Sequence, residues 1–158
     1  IRHALEAIQP SGYQPDDLVI HLRPTAPFRR PEEITKVAEL LRRFPADSIV
    51  SVRLAHEHPK KQFIETGEMI GTLPELAPYS GASALGEASQ GLERVWHAAG
   101  FIDAAKIGPF LQEGRMDCGV VMGWFAPEDR AIDLDTPEDW ERAEMLAAAK
   151  GWRPGAIA

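Results

Sequence analysis

The most constraining feature of the sequence is a strand-like segment, a helical segment and a second strand-like segment, all between residues 17 and 54. Residues 17–22 form a short, nearly continuous apolar run, typical of a strand that is buried on both faces. Pro31 then opens a segment with apolar residues at helical spacing, and residues 49–54 again have the pattern of a strand. This order predicts a βαβ unit with a parallel sheet and a right-handed crossover.

Composition narrows the class of protein. The 158 residues, 44% of them hydrophobic, suffice for one domain with a substantial core. A net charge of −7 argues against a nucleic-acid binder, because affinity for the phosphate backbone needs an excess of clustered Lys and Arg. No apolar run approaches the roughly 20 residues of a membrane span, so we expect a soluble, cytoplasmic protein without a membrane partner. The single cysteine, Cys118, is interpreted as core filling in an apolar strand over residues 118–125.

Positive charge is concentrated where a parallel sheet would bind a ligand. In open parallel sheets ligands bind beyond the carboxyl ends of the strands, which places the loop of residues 23–30 at the site. This loop and the segment after the second strand supply local positive charge from Arg23, Arg29, Arg30, Lys60 and Lys61. Arg23 directly follows a strand and is the best candidate, whereas Arg29 and Arg30 are equally well explained as solvated surface.

A second candidate site lies at residues 131–140, where an apolar segment meets a helix start. In an extended segment alternate side chains share a face, so Asp133 and Asp135 would point one way, and Ile132 and Leu134 into the core. Two aspartates on one face offer hard oxygen ligands to Mg²⁺, which usually takes one or two protein carboxylates plus substrate phosphates. The pattern therefore predicts a magnesium site.

The helix start that follows these aspartates is strongly signalled. Thr136 is predicted as the N-cap and Pro137 as the first helical residue, with Glu138 and Asp139 in the first turn, where exposed N–H groups favour negative charge. Gly151 is expected to end the helix. The alternative is that all these acids only cap the helix and face solvent.

Residues 63–100 show weak patterning with Gly and Pro punctuation, too long for an ordinary connection. This segment is interpreted as a lid or as an arm that meets a second subunit. It cannot easily bury its leucines alone, which predicts a homodimer. Shorter helical patterns are present at residues 1–8 and near residues 109–111.

Three separated segments carry motifs in the order found in one known family. Residues 22–29 read L-R-P-T-A-P-F-R, against L-Q-P-T-S-P-L-R in that family. Residues 56–61, H-E-H-P-K-K, resemble its E-x-x-H-P-x-K, and residues 132–139, I-D-L-D-T-P-E-D, resemble its D-I-D-T-x-x-D. The family is that of the acylneuraminate cytidylyltransferases, the CMP-sialic acid synthetases, and the joint resemblance spans nearly the whole chain.

The resemblance implies an α/β fold of the Rossmann-like, three-layer nucleotide-diphospho-sugar transferase type. One domain over residues 1–158 would include a protruding dimerisation arm at about residues 63–105. It would transfer CMP from CTP to an acidic nine-carbon sugar and release pyrophosphate, with Mg²⁺ as cofactor. The resemblance implies that Asp133 and Asp135 are the catalytic metal ligands. The implied substrate-binding residues are Arg23, Thr25, Arg29, Lys61 and Gln90.

The departures from the family pattern lie at the sugar end of the site. They are Arg23 for a glutamine, Ser89 for an arginine, Ala99 for an asparagine and Asp103 for a tyrosine. Asp133 and Asp135, the metal end of the site, are retained. We therefore expect the acceptor sugar to differ from that of the family more than the reaction does. Because the family's carboxylate arginine is replaced, we expect Arg23 to bind the sugar carboxylate together with Lys61.

The family's N-terminal glycine- and lysine-containing loop, which cradles the CTP phosphates, has no counterpart in this sequence. We therefore expect an N-terminal portion of the domain to precede Ile1. Two alternatives remain open. One is a metal-dependent nucleotide-sugar glycosyltransferase with Asp133 and Asp135 in its metal motif, and the other is a non-catalytic sugar- or nucleotide-binding homologue.

Overall fold

The computed structural model describes residues 1–8, 12–67, 74–81 and 83–152, and these form a mixed α/β structure. The chain divides into two compact units. The main unit comprises Ile1–Arg53 and Ala98–Ala158, and the inserted unit comprises Leu54–His97. The inserted unit shares residues 63–97 with the predicted arm, and its role in dimerisation stays a prediction.

Among the described residues are four α-helices, and the two long ones begin and end where local sequence signals place them. Those described are α1 (Arg2–Ile8), α2 (Pro31–Arg43), α3 (Ile107–Glu113) and α4 (Pro137–Lys150). Helix α2 starts at a proline and buries Val37 and Leu41 on its apolar face. Helix α4 ends at Gly151, whose φ of 67° gives the left-handed conformation that closes many helices. Within the described ranges, no helix combines the length and hydropathy needed to cross a membrane.

The strands form a larger mixed sheet and a separate hairpin. The strands described are β1 (Leu18–His21), β2 (Ser48–Leu54), β3 (Phe63–Glu65), β4 (Leu76–Pro78), β5 (Trp96–Ala98), β6 (Asp103–Lys106) and β7 (Val121–Phe125). The larger sheet has the order β1-β6-β2-β5, and β7 also pairs with β2, in parallel. In the inserted unit β3 pairs antiparallel with β4.

Both strands and the helix of the predicted βαβ unit are present, but the expected purely parallel sheet is wrong. Strand β6 lies between β1 and β2 and is antiparallel to both. Strands β1 and β2 therefore run in the same direction without being neighbours. The sequence did not predict β6, because its four residues include no β-branched or aromatic side chain.

The core of the main unit lies on both faces of β6. Ala104 packs in a cluster with Val37 and Leu41 of α2, and Ala105 packs in a second cluster with Ile107 and Phe110 of α3. Successive strand residues point to opposite faces, so α2 covers one face of β6 and α3 covers the other.

Cys118 belongs to the second of these clusters and is fully buried, as predicted for core filling. The strand expected over residues 118–125 begins only at Val121. Before it, Gly119 has a φ of 56°, and a Cβ at this position would collide with the Asp47 carboxylate. The chain turns at this glycine before it enters β7.

Candidate functional site

The loop that follows β1 is held in place by backbone contacts rather than left free in solvent. Ala26 is almost completely buried, and its N–H donates to the Arg23 carbonyl at 3.2 Å. The Arg29 guanidinium donates to the carbonyls of Arg23 and Phe101. Partial burial lowers the pKa of Arg29, although a guanidinium stays charged in proteins. Arg29, predicted to bind substrate, is thus engaged in bracing its own loop.

A second arginine, which the sequence did not single out, joins this loop to the start of α2. Arg130 is 8% exposed and donates to both carboxylate oxygens of Glu33, at 2.6 and 3.0 Å. It also donates to the Phe28 carbonyl at 3.3 Å. The hydrogen bonds to Glu33 raise the pKa of Arg130. Glu33 in turn accepts from the Arg30 N–H at 2.8 Å, so one largely buried ion pair fixes the loop, the helix start and the chain before Asp133.

Two of the three motif segments, residues 22–29 and 132–139, meet directly in the main unit. The Leu134 N–H donates to the Thr25 carbonyl at 2.8 Å. Residues 131–135 have no regular secondary structure; Ile132 is buried as predicted and Leu134 is half-buried. This contact places the backbone between Asp133 and Asp135 against the loop that follows β1.

Thr136 is the N-cap of the helix after these aspartates, as predicted, and the cap is reciprocal with Asp139. The Thr136 Oγ accepts from the Asp139 N–H at 3.2 Å, and Asp139 Oδ2 accepts from the Thr136 N–H at 3.0 Å. The Thr136 hydroxyl also donates to Asp139 Oδ2 at 2.9 Å, and these bonds lower the pKa of Asp139. The capping hydrogen bonds use the carboxylate of Asp139 and not those of Asp133 or Asp135.

Asp133 and Asp135 differ in their surroundings. Asp133 Oδ1 is buried and finds no hydrogen-bond partner among the described residues, whereas Asp135 is exposed. A buried carboxylate oxygen ordinarily has a partner, and a cation would supply one. In the described ranges no three His, Cys, Asp or Glu side chains converge on a common point. The donor set fits Mg²⁺, which needs only one or two protein carboxylates, better than it fits zinc or calcium.

Arg23 lies at the other side of the same loop, beside an acid. Its Nη2 is 3.8 Å from Oδ2 of Asp103, which is 4% exposed, whereas the Arg23 side chain is 44% exposed. Sequence comparison marked Asp103 as a departure from the family pattern, but nothing in its spacing predicted its burial or its pairing with Arg23.

Two predicted substrate-binding residues, Lys61 and Gln90, belong to the inserted unit. The Lys61 ammonium donates to the Glu87 carbonyl at 2.9 Å and to Ser89 Oγ at 3.1 Å. Gln90 follows directly in a short 3₁₀ turn and is exposed. The structure therefore brings Lys61 to the turn that contains Gln90, and it brings Thr25 to the segment of Asp133 and Asp135 in the main unit.

An open cavity of about 310 Å³ does not coincide with these residues. It is lined by Asp16, Leu18, Leu41, Arg42 and Lys106. Leu18 begins β1, whereas Arg23 follows the end of that strand, so the cavity lies at the opposite end of β1 from the candidate site.

No protein-family model matches the chain, and no curated protein matches it either. The functional assignment therefore depends on the three motifs and on the geometry of the residues in them. Among these residues, the contact between Thr25 and Leu134 and the unpartnered oxygen of Asp133 are the most informative.

Proposed function

We propose that this protein is a Mg²⁺-dependent nucleotidyltransferase that transfers CMP from CTP to an acidic nine-carbon sugar and releases pyrophosphate. The observation that carries the proposal is the 2.8 Å hydrogen bond from the Leu134 N–H to the Thr25 carbonyl, because it joins two motif segments far apart in sequence. The proposal includes the Rossmann-like, three-layer transferase fold, which is supported by the burial of β6 between α2 and α3.

The metal end of the site would be formed by Asp133 and Asp135. Bound there, Mg²⁺ would supply positive charge against the triphosphate. The chain's own contribution is to hold the two carboxylates in place. The ion pair of Arg130 with Glu33 fixes the chain before Asp133, and the Thr136 cap fixes the chain after Asp135. A site held from both sides loses little entropy when substrate binds.

The sugar end in the main unit would be formed by Arg23, and Lys61 is proposed as a substrate-binding cation of the inserted unit. A guanidinium offers two parallel N–H donors to a carboxylate, and the exposed part of Arg23 is free to do so. Thr25 and Gln90 are proposed as further substrate contacts. Arg29 is proposed to act on substrate only indirectly, since its donors already bind the Arg23 and Phe101 carbonyls.

The test is to incubate the full-length protein with Mg²⁺, one nucleoside triphosphate at a time and a panel of acidic nonulosonates. Pyrophosphate release that needs both CTP and the acid, together with a CMP-sugar product, is the expected result. The methyl ester of the best acceptor is the matched control and should react poorly, because it lacks the carboxylate charge.

The alternatives give different results in the same experiment. Binding of CTP or sugar without any pyrophosphate release would contradict the proposal and favour the non-catalytic homologue. Transfer of sugar from a nucleotide-sugar donor, without use of CTP, would favour the glycosyltransferase.

A further inference from the structure

The carboxylate of Asp103 is fixed by a buried serine on the neighbouring strand. Ser51 donates to Asp103 Oδ1 twice, from its N–H at 3.0 Å and from its hydroxyl at 3.1 Å. The same hydroxyl oxygen accepts from the N–H groups of Phe101 and Ile102, at 2.9 and 3.1 Å. Ser51 is fully buried, so this network has no competition from water. One carboxylate oxygen is thereby occupied, and the other, Oδ2, is the one nearest Arg23.

A glycine makes room for the guanidinium at the same place. Gly100 has a φ of 62°, and a Cβ built on it would lie 3.0 Å from Nη1 and 3.2 Å from Cζ of Arg23. The guanidinium therefore lies against bare backbone, where most side chains would displace it. The backbone on both sides of this contact is fixed by Arg29, which donates to the carbonyls of Arg23 and Phe101.

We propose that Asp103 is a positioning residue that holds Arg23 in the orientation that binds the acidic group of the substrate, an inference that rests on the proposed function. An arginine side chain loses considerable rotamer freedom when it binds a ligand, and a charge partner that orders it beforehand removes part of that loss. Asp103 can do this because its own position is set by Ser51 rather than by solvent. Nη2 of the guanidinium lies 3.8 Å from Asp103, and the 44% exposure of the side chain leaves it accessible to a carboxylate.

The first test compares Asp103→Asn with a matched ion-pair variant. Asparagine keeps an oxygen acceptor for Ser51 but loses the charge that faces Arg23. We expect the KM for the acidic sugar to rise about tenfold and the KM for CTP to stay unchanged. Lys106→Gln is the control, because Lys106 and Asp47 are also 3.8 Å apart, at the other end of β6. Equal changes in both KM values, or the same sugar effect in the control, would overturn the proposal.

A double-mutant cycle separates positioning from a merely structural role. If Asp103 acts through Arg23, Asp103→Asn should add little to the sugar KM of Arg23→Gln. Fully additive effects would contradict this. Should Asp103→Asn fail to fold, Gly100→Ala replaces it, since the added methyl group would displace Arg23 without removing a charge, although a φ of 62° also strains the backbone of an alanine. That variant is also expected to raise the sugar KM alone, and an unchanged sugar KM would overturn the proposal.

A spectroscopic measurement keeps this inference separate from the proposed function. The Nε–H signal of Arg23 is followed by NMR in the full-length protein without substrate. It is expected to shift and to exchange faster with water in Asp103→Asn, but not in Lys106→Gln. An unchanged signal in a folded Asp103→Asn protein would overturn the positioning role. If no CMP-sugar forms with any acid, the proposed function fails, and this signal still decides whether Asp103 orders Arg23.

Discussion

The candidate site of the main unit and the inserted unit are built in different ways. In the main unit, charged side chains tie together segments that are far apart in sequence, as Arg130 does with Glu33 and Phe28. In the inserted unit, Ala84 is the one buried residue among those described, and several large apolar side chains are exposed. The contrast is between a buried, braced main unit and an inserted unit with little burial among its described residues, and the proposed function would use the first for fixed geometry and the second for contact surface.

The largest effect on stability is expected from the largely buried ion pair of Arg130 with Glu33. Arg130→Ala leaves the Glu33 carboxylate largely buried without its charge partner, which should lower the free energy of unfolding by about 3 kcal/mol. Lys60→Ala is the counterpart in the inserted unit, where the pair with Glu93 is well exposed, and it should lower that free energy by less than about 1 kcal/mol.

Urea unfolding followed by tryptophan fluorescence, to which Trp124 stacked on Phe101 in the main unit contributes, measures the loss in Arg130→Ala. Calorimetry reports the unfolding of the whole protein. Applied to both variants, it compares the loss in Lys60→Ala with the loss in Arg130→Ala. Equal losses in the two variants would remove the contrast between the two units.

The local parts of this architecture could be predicted from the sequence, and the long-range parts could not. The Thr136 cap and the limits of α2 and α4 follow from signals within a few residues, and the structure confirms them. Strand β6 was not predicted because Asp, Ala and Lys disfavour strands. Its pairing with β1 and β2 and its packing between α2 and α3 hold these residues extended.

The polar contacts of the site show the same limit. Arg130 pairs with Glu33, which is 97 positions away in the sequence. Asp103 accepts hydrogen bonds from Ser51, which is 52 positions away. No spacing rule connects residues so far apart. The motif resemblance located Asp133 and Asp135, but it gave no indication that Asp133 Oδ1 is buried without a partner among the described residues.

The contact surface of the inserted unit is expected to mediate a homodimer. Leu85, 65% exposed, is one of its large apolar side chains, and Leu85→Ser should raise the dimer dissociation constant at least about tenfold. Met145→Ser is the control. Met145 is 73% exposed on α4 of the main unit, and its substitution should leave the dimer dissociation constant unchanged. Light scattering over a range of concentrations measures the mass. A monomeric wild-type protein would contradict the prediction.

The helix cap beside the metal end should have a smaller effect on stability. Thr136→Ala removes the acceptor for the Asp139 N–H and should lower the free energy of unfolding by about 1 kcal/mol, whereas Thr136→Ser keeps the oxygen and should change little. His58 caps a three-residue turn of the inserted unit, where it accepts from the Lys60 N–H at 3.1 Å. His58→Ala is expected to be milder than Thr136→Ala. The reverse order in chemical unfolding would contradict the contrast.

The smallest effect expected is a pH dependence at the same cap. The hydroxyl of Thr136 is the main cause that lowers the pKa of Asp139 in the folded protein. A carboxyl group with a lowered folded pKa adds stability above its unfolded value of about 4, and this is lost as pH falls through the folded pKa. Asp139→Asn should therefore reduce Tm slightly at neutral pH, and the difference should shrink in acid. A difference that grows in acid would contradict the assigned cause.

The central claim is that Asp133 and Asp135 in the main unit form the metal-dependent reactive centre. It is tested most directly by CMP transfer at saturating CTP and sugar, over a wide range of Mg²⁺ concentrations, in Asp133→Asn and Asp135→Asn. We predict that kcat falls about 100-fold in each variant, equivalent to about 2.7 kcal/mol, with the fold retained. Glu138→Gln, which changes a neighbouring exposed acid, should leave kcat unchanged. Unchanged turnover of both aspartate variants at every Mg²⁺ concentration would contradict the claim.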